Sequence, residues 1–401
     1  MGKLDIQFCG VNFVNPFTVS ASPSSDSREK VARALDAGWG GIVFKTTALK
    51  EHSPVLAEPN MWGIPYGGKP QYGLYNIDLI SERTIEEIQE EIVYFKGKYP
   101  DRILIGSIMA SSEAQWTQLV EKLEEAGADM IECSMSCPQG EHSIAVEGQK
   151  ASNVIPATDR ALMKSTTEVI KKAVKKGTPV YIKMTPNVTD IVDVAQGAIE
   201  GGADGLCAID TVRGFIGVDV ETGYPKLHIN HQSTWGGLSG PIIKPIALGC
   251  VSKLTKECQI PVAGVGGISN WKDAAEFLLL GATNLQVCTA ISKYGFGMVK
   301  SMCSGLEEYL DRKGYQNVRE MVGKSLPYLV DHGELDRSNH QHFQVDTENC
   351  IKCGSCAVAC QDAGFGALHF TKGTPPEVDV QICRGCGLCT SVCPRDCITL
   401  V

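Results

Sequence analysis

Short apolar runs recur through residues 17–310, each passing into a helical pattern and then into the next run. They are FTVSA (17–21), GIVFK (41–45), ILIGSIM (103–109), MIECS (130–134), VYIKM (180–184), GLCAI (205–209), VAGVG (262–266) and LQVCT (285–289). Ser27 opens the first helical pattern and Gly38 ends it; AGADM, GGADG and LGATN mark later passages from helix to strand. Near-continuous apolar strands alternating with helices imply an α/β fold with a parallel sheet covered on both faces. Eight such units predict a (β/α)8 TIM barrel; a doubly wound open sheet is the alternative. Only after the last run is the following helix unclear.

Three connections are long for this fold: 46–80, 135–158 and 210–240. All follow a strand, so in a barrel they lie at the face where such folds do chemistry. Their Gly, Pro, Ser and aromatic content suits a substrate pocket and its lid.

The pattern changes at the C-terminal end, where eight cysteines repeat one spacing. Cys350, Cys353, Cys356 and Cys360 form the first run; Cys383, Cys386, Cys389 and Cys393, followed by Pro394, form the second. This is the two-cluster ferredoxin run, in which three thiolates of a CxxCxxC loop hold a [4Fe–4S] cubane and the fourth comes from the other run. Cys393 is therefore expected to complete the Cys350 cluster, and Cys360 the Cys383 cluster. Zinc sites or disulfides are the alternatives. The expected organisation is a barrel over 1–312, a linker over 313–342 and a ferredoxin-like domain over 343–401.

A formal charge of −9 with interspersed signs argues against nucleic acid as a partner. Of the seventeen cysteines, nine lie outside the two runs, mostly in apolar surroundings, and read as free thiols in a reducing compartment. The opening MGKLDIQFCGVNF lacks a signal peptide's apolar core, and Ile6 stands where myristoylation wants Ser or Thr. No run approaches the roughly 20 apolar residues of a membrane span. A cytoplasmic protein with no membrane partner is the expectation.

Electrons carried singly by such clusters need a converter to two-electron chemistry, and a flavin is the common one. Gly266 and Gly267 follow the seventh run, and Cys288 and Thr289 end the eighth. These are positions where barrels bind phosphate. The alternative is that the glycines serve turns alone. Lys45 and Lys183 each end an apolar strand, where a lysine needs a partner. They are candidates to stabilise an anionic reduced flavin, or they belong to structural ion pairs.

NPFTVSASP (15–23), AGWGGIVFKT (37–46), YNIDLISE (75–82), SCPQG (136–140), KMTPNVTDI (183–191), GGADG (201–205), TWGGLSG (234–240), VGGI (265–268) and LQVCTA (285–290) together resemble the dihydroorotate dehydrogenase-like FMN barrels. With the two-cluster tail, the resemblance is greatest to the FMN and iron–sulfur subunit of bacterial dihydropyrimidine dehydrogenases. It runs from about residue 5 to 400. The resemblance implies FMN contacts at Ala21, Ser22, Lys45, Thr46, Lys183, Gly240, Gly266, Gly267, Cys288 and Thr289. It implies hydride transfer between FMN and a ring C=C conjugated to a carbonyl, with uracil or thymine as substrate and a lid acid as proton donor. It also implies a partner subunit that binds FAD and NAD(P)H; a homo-oligomer is an open expectation.

The resemblance is uneven at the substrate. Asn76 and Thr211 fit the family pattern. Ser134 and Asp210 stand where the family has asparagines, and Glu147 stands where its lid has an acidic cysteine. Asparagine meets both donors and acceptors on a pyrimidine, whereas ionised aspartate only accepts. Glu147, and with it Lys183, are the catalytic candidates; Ser136, Cys137, His142, Ser143 or water are alternatives for the proton. Two other readings stay open. One is the same chemistry on a non-pyrimidine cyclic ene-carbonyl compound; the other is an electron-transfer subunit with a non-catalytic barrel. A dihydroorotate oxidoreductase fits the tail less well.

Overall fold

The apolar runs become β1 (Phe17–Val19), β2 (Gly41–Val43), β3 (Ile103–Ile108), β4 (Met130–Ser134), β5 (Val180–Met184), β6 (Gly205–Ala208), β7 (Val262–Val265) and β8 (Asn284–Val287). Every residue in them is buried, which is why they read as continuous rather than alternating apolar segments. Neighbours pair in parallel in chain order, and β8 pairs with β1 to close the barrel. The structure, a computed structural model, describes residues 2–49, 55–66, 69–136, 155–338, 341–363 and 365–401. It contains two units, Met1–Tyr328 and Leu329–Val401.

In the first unit the barrel carries α1 (Arg28–Ala37), α2 (Ile85–Lys98), α3 (Glu113–Ala126), α4 (Arg160–Ala173), α5 (Ile191–Glu200), α6 (Lys244–Glu257) and α7 (Trp271–Leu279). Their starts are set locally. Ser27, Thr84, Ser112, Asp159, Asp190 and Asn270 each accept a backbone N–H of the first turn, worth about 1 kcal/mol apiece. The unclear stretch after the last strand is a short helix, Thr289–Tyr294, followed by α8 (Met298–Lys313). The strand Ile6–Phe8 pairs with Val11–Phe13. Phe8 meets Tyr181 edge-on at 5.3 Å and closes the N-terminal end of the barrel.

Two of the long connections are not irregular. Met61–Tyr66 and Lys69–Asn76, after β2, join Gly236–Ser239 and Val212–Gly214, after β6, in a four-stranded antiparallel sheet. It rises from the ends of β2 and β6. Sequence patterning does not show these strands because they are glycine-rich and partly exposed. Within the third connection, residues 137–154 lie outside the described residues.

In the second unit Phe343–Val345 pairs with Ile398–Leu400, and Leu368–His369 with Glu377–Val378. Gly354 and Gly387, one residue after Cys353 and Cys386, both take left-handed φ near 80° (77° and 82°) and start the helices Ser355–Asp362 and Leu388–Ser391. The two cysteine runs thus fold alike. The apolar core of this unit is small and includes Cys356, Cys360, Cys383 and Cys389 among its buried residues.

Candidate active site and cysteine-lined cavities

The barrel interior holds a polar network that crosses six of its eight strands or their ends. Its centre is Glu132 on β4, a fully buried carboxylate. Gln286 Nε2 donates to Glu132 Oε2 at 2.8 Å, and Ser107 Oγ donates to Oε1 at 3.3 Å. Lys183 Nζ donates to the same Oε1 at 3.4 Å and to Ser20 Oγ at 3.3 Å. Ser20 Oγ donates onward to Gln286 Oε1 at 3.0 Å, and Thr46 Oγ1 lies 2.8 Å from Ser107 Oγ. Burial alone pushes the Lys183 pKa down. The facing Glu132 charge, helped by Cys207, Asp210 and Cys288, outweighs it and holds the pKa above the ordinary lysine value. Lys183 is therefore an ammonium, and Ser20 and Glu132 account for two of its three N–H groups.

Lys45, at the end of β2, sits between two carboxylates: Asp78 at 3.2 Å and Asp26 at 3.7 Å. Burial raises the Asp78 pKa despite the opposing pull of Lys45. The two lysines that sequence reading treats alike are thus partnered differently. Lys183 faces one carboxylate in the barrel; Lys45 bridges the segments after β1 and β2.

At the ends of β7 and β8 the glycines approach other backbone closely. Gly267 has φ +82°, and a Cβ there would lie 2.7 Å from Lys244 Cβ and 3.0 Å from the Gly240 carbonyl. Gly266 has φ +126°, and its Cβ would meet Ala247 Cβ at 2.7 Å. Thr289 Oγ1 bonds Ser239 Oγ at 2.9 Å, next to Gly240. Gly240, Gly266, Gly267 and Thr289 are therefore brought together from three loops. Cys288 is within hydrogen-bonding reach of Ser22, which caps the turn after β1 beside Ala21. Burial raises the Cys288 pKa.

The substrate candidates lie at the ends of β4 and β6 and in the four-stranded sheet beside them. Asn76 donates its Nδ2 to the Gly237 carbonyl at 3.1 Å, within the four-stranded sheet. Ser134 is buried at the end of β4. Asp210, after β6, accepts Ser136 Oγ–H at 2.5 Å and the Thr211 N–H at 2.8 Å. Asn187, which sequence reading did not single out, donates to the Thr211 carbonyl at 2.9 Å and to Thr185 Oγ1 at 2.7 Å. It also accepts the Arg213 N–H at 2.8 Å, tying the β5 and β6 loops. Glu147 lies outside the described residues, as do Cys137, His142 and Ser143. Glu132 and Gln286 were missed as well. Their signal was present: each is a polar residue inside an apolar run, which a barrel interior can hold only if paired.

In the second unit, Cys360 lines one cavity with Cys383, Cys386 and Cys389. Cys350, Cys353, Cys356 and Cys393 line another, together with Cys397. Each cavity thus takes three sulfurs from one run and the distal sulfur of the other. Among the described cysteines none forms a disulfide.

Residues 3–310 match the family model described as dihydroorotate dehydrogenase, and residues 343–400 the model described as 4Fe-4S dicluster domain. The chain is 38% identical over 402 residues to the NAD-dependent dihydropyrimidine dehydrogenase subunit PreA of Escherichia coli K12, covering 99% of this chain and 95% of that protein. It is 32% identical over 344 residues to the chloroplastic dihydropyrimidine dehydrogenase (NADP(+)) of Arabidopsis thaliana, covering 83% and 79%. It is 36% identical over 323 residues to the catalytic subunit of dihydroorotate dehydrogenase B (NAD(+)) of Pyrococcus abyssi, covering 80% and 99%.

Proposed function

The chain belongs to the dihydroorotate dehydrogenase family, and from that premise we propose that it is the flavin- and iron–sulfur-bearing subunit of a pyrimidine-reducing oxidoreductase acting on a CH–CH bond. The observation that carries this reading is the combination, in one chain, of a family barrel whose interior holds a buried Lys183 cation and a unit with two four-cysteine sets. Uracil and thymine are the substrates we assign. The flavin is FMN, and the clusters are two [4Fe–4S] cubanes.

The residues fit such a cofactor. Gly266 and Gly267 hold positive φ where a Cβ would collide with Ala247, Lys244 and the Gly240 carbonyl, a tight turn whose backbone N–H groups suit a phosphate. Ala21, Ser22, Lys45, Thr46, Lys183, Gly240, Cys288 and Thr289 complete the set we assign to it. Bound there, a flavin links one-electron carriers to two-electron reduction of a ring. Lys183 supplies a fixed positive charge for the electron-rich state of the site, held in place by Glu132 and Ser20. Asp210 accepts hydrogen bonds from the substrate, Thr211 and Asn76 shape the ring's edge, and Ser134 leaves room beside it. Glu147 remains the proposed proton donor. Cys350, Cys353, Cys356 and Cys393 are assigned to one cluster, and Cys383, Cys386, Cys389 and Cys360 to the other.

A partner subunit carrying FAD and the nicotinamide site belongs to the proposal. It is supported by the word subunit in the name of the Escherichia coli relative, and by the lack of a G-x-G-x-x-G fingerprint in strand–helix context in this chain. Among the described residues no helix is long and apolar enough to cross a membrane. The free thiols support a reducing compartment, which we take to be the cytoplasm.

The test is anaerobic reoxidation of the dithionite-reduced protein, followed at the flavin band. Uracil or thymine is expected to reoxidise it. Reoxidation by other cyclic enones alone would replace the substrate, and silence across both groups would make the barrel non-catalytic.

Two variants probe the assigned contacts. Gly267→Ala is expected to weaken FMN binding to the apo chain about tenfold, because a Cβ 2.7 Å from Lys244 Cβ forces the loop and its N–H groups to shift, and each 1.4 kcal/mol lost is about tenfold. Fluorescence titration checks it; unchanged affinity would remove this loop from the phosphate site. Asp210 offers only acceptor atoms, which favours a ring presenting N–H at that edge. Asp210→Asn is expected to alter kcat/KM ratios between rings differing at one donor or acceptor by about 10²-fold. An equal change for every ring would leave Asp210 a loop-holding residue.

A further inference from the structure

One of the two cysteine-lined cavities holds five thiols. Cys397 lines it beside Cys350, Cys353, Cys356 and Cys393. A cubane takes four thiolates, so one sulfur is surplus. Cys397 is buried, with 6% of its surface exposed, and its Sγ lies 3.4 Å from Cys393 Sγ. It is also within hydrogen-bonding reach of Cys350. Its backbone is held: the Asp346 N–H donates to the Cys397 carbonyl at 2.8 Å, and Ile398 pairs with Val345 in the strand that follows. The other cavity has no such member among the described residues; Phe343, Phe365, Leu368 and Val378 fill its wall. The two runs differ in the same way in sequence. Four residues after Cys393 stands Cys397; four residues after Cys360 stands Gly364.

We propose that Cys397 is a reserve ligand for the cluster of the Cys350 run, able to take over the iron corner assigned to Cys393. The exchange is redox-neutral. The Cys397 thiol gives its proton to the departing Cys393 thiolate, a Cys397 sulfur–iron bond forms as the Cys393 sulfur–iron bond breaks, and iron and electron counts stay unchanged. The short distance between the two sulfurs means that one corner can be served from either position without rebuilding the loop that carries the other three. A thiol kept only for packing would do no more than any small apolar side chain.

This rests on reading the unit as a carrier of two [4Fe–4S] clusters, and the unaltered chain tests that reading separately. The full-length protein is reconstituted anaerobically with iron and sulfide, reduced with dithionite, and its [4Fe–4S]⁺ spins are integrated by EPR. About two spins per chain are expected for the unaltered protein; fewer would overturn the reading of the unit. Cys397→Ala is expected to keep both. Cys393→Ala is expected to keep both as well, with a changed line shape for one centre. Cys393→Ala/Cys397→Ala and Cys360→Ala are each expected to lose one. Loss of a centre in Cys393→Ala alone overturns the proposal, and so does a Cys393→Ala chain that fails to accumulate while Cys360→Ala accumulates.

Discussion

Replacing Lys183 with methionine is expected to slow substrate-dependent reoxidation of the reduced flavin by about 10²–10³-fold, the usual loss when one fixed electrostatic donor leaves a buried site. The same change strands Glu132, a fully buried carboxylate, without its cation, leaving it neutral donors such as Gln286 and Ser107. Breaking a buried ion pair from one side costs about 3–5 kcal/mol, so thermal stability falls too. The double variant Lys183→Met/Glu132→Gln separates the two effects. It removes the stranded charge and is expected to restore most of the stability while leaving reoxidation slow. A double variant that recovers both would make Lys183 a structural partner only.

The pair also predicts a pH response. The Lys183 pKa is raised above 10.5, so its contribution is complete below that value and is lost only as pH climbs through the higher folded-state value. Stability from this pair is therefore expected to stay flat from pH 6 to 9, which a denaturant midpoint series checks.

The second large effect is expected from Cys360→Ala. Cys360 belongs to the first cysteine run but shares its cavity with Cys383, Cys386 and Cys389. Its removal is expected to abolish the [4Fe–4S]⁺ signal of that set and to leave the Cys350 set intact. The neighbouring cavity walls are apolar, so no described thiol stands ready to replace it. The small core of this unit includes four cysteines of the two runs, and domains of this size depend on metals or other staples. A drop in the unit's stability is expected alongside the lost signal. Damage to the Cys350 centre alone would reverse the ligand assignment.

The alternation of strand and helix was readable in the chain because each barrel strand is buried on both faces, so its apolar run carries the signal by itself. The helix starts were equally local, since Ser27, Ser112 and Asn270 act on N–H groups two or three residues away. Repeated spacing likewise marked the two cysteine runs without any knowledge of the fold. The four-stranded sheet over the barrel was not readable. Its strands carry glycine and, in Met61–Tyr66 and Lys69–Asn76, proline, and their pairing joins segments such as Asn76 and Gly237 that are far apart in the chain.

The partners of the buried charges were decided only by closure of the barrel. Gln286 meets Glu132 across 154 residues, and Lys183 meets Ser20 across 163. A lysine ending an apolar run must have a partner, but nothing local says which carboxylate provides it. Lys45 and Lys183 look alike in sequence, and the fold gives one of them two carboxylates at the barrel's edge and the other a single carboxylate in its interior. The same holds for Cys397, four residues past the second cysteine run in sequence and part of the wall of the first run's cavity in space. The chain determined which residue types stand on which strand, since periodic burial is a local property. The tertiary structure decided which of them share a proton, a charge or a cavity, since those depend on distances that only the closed fold sets.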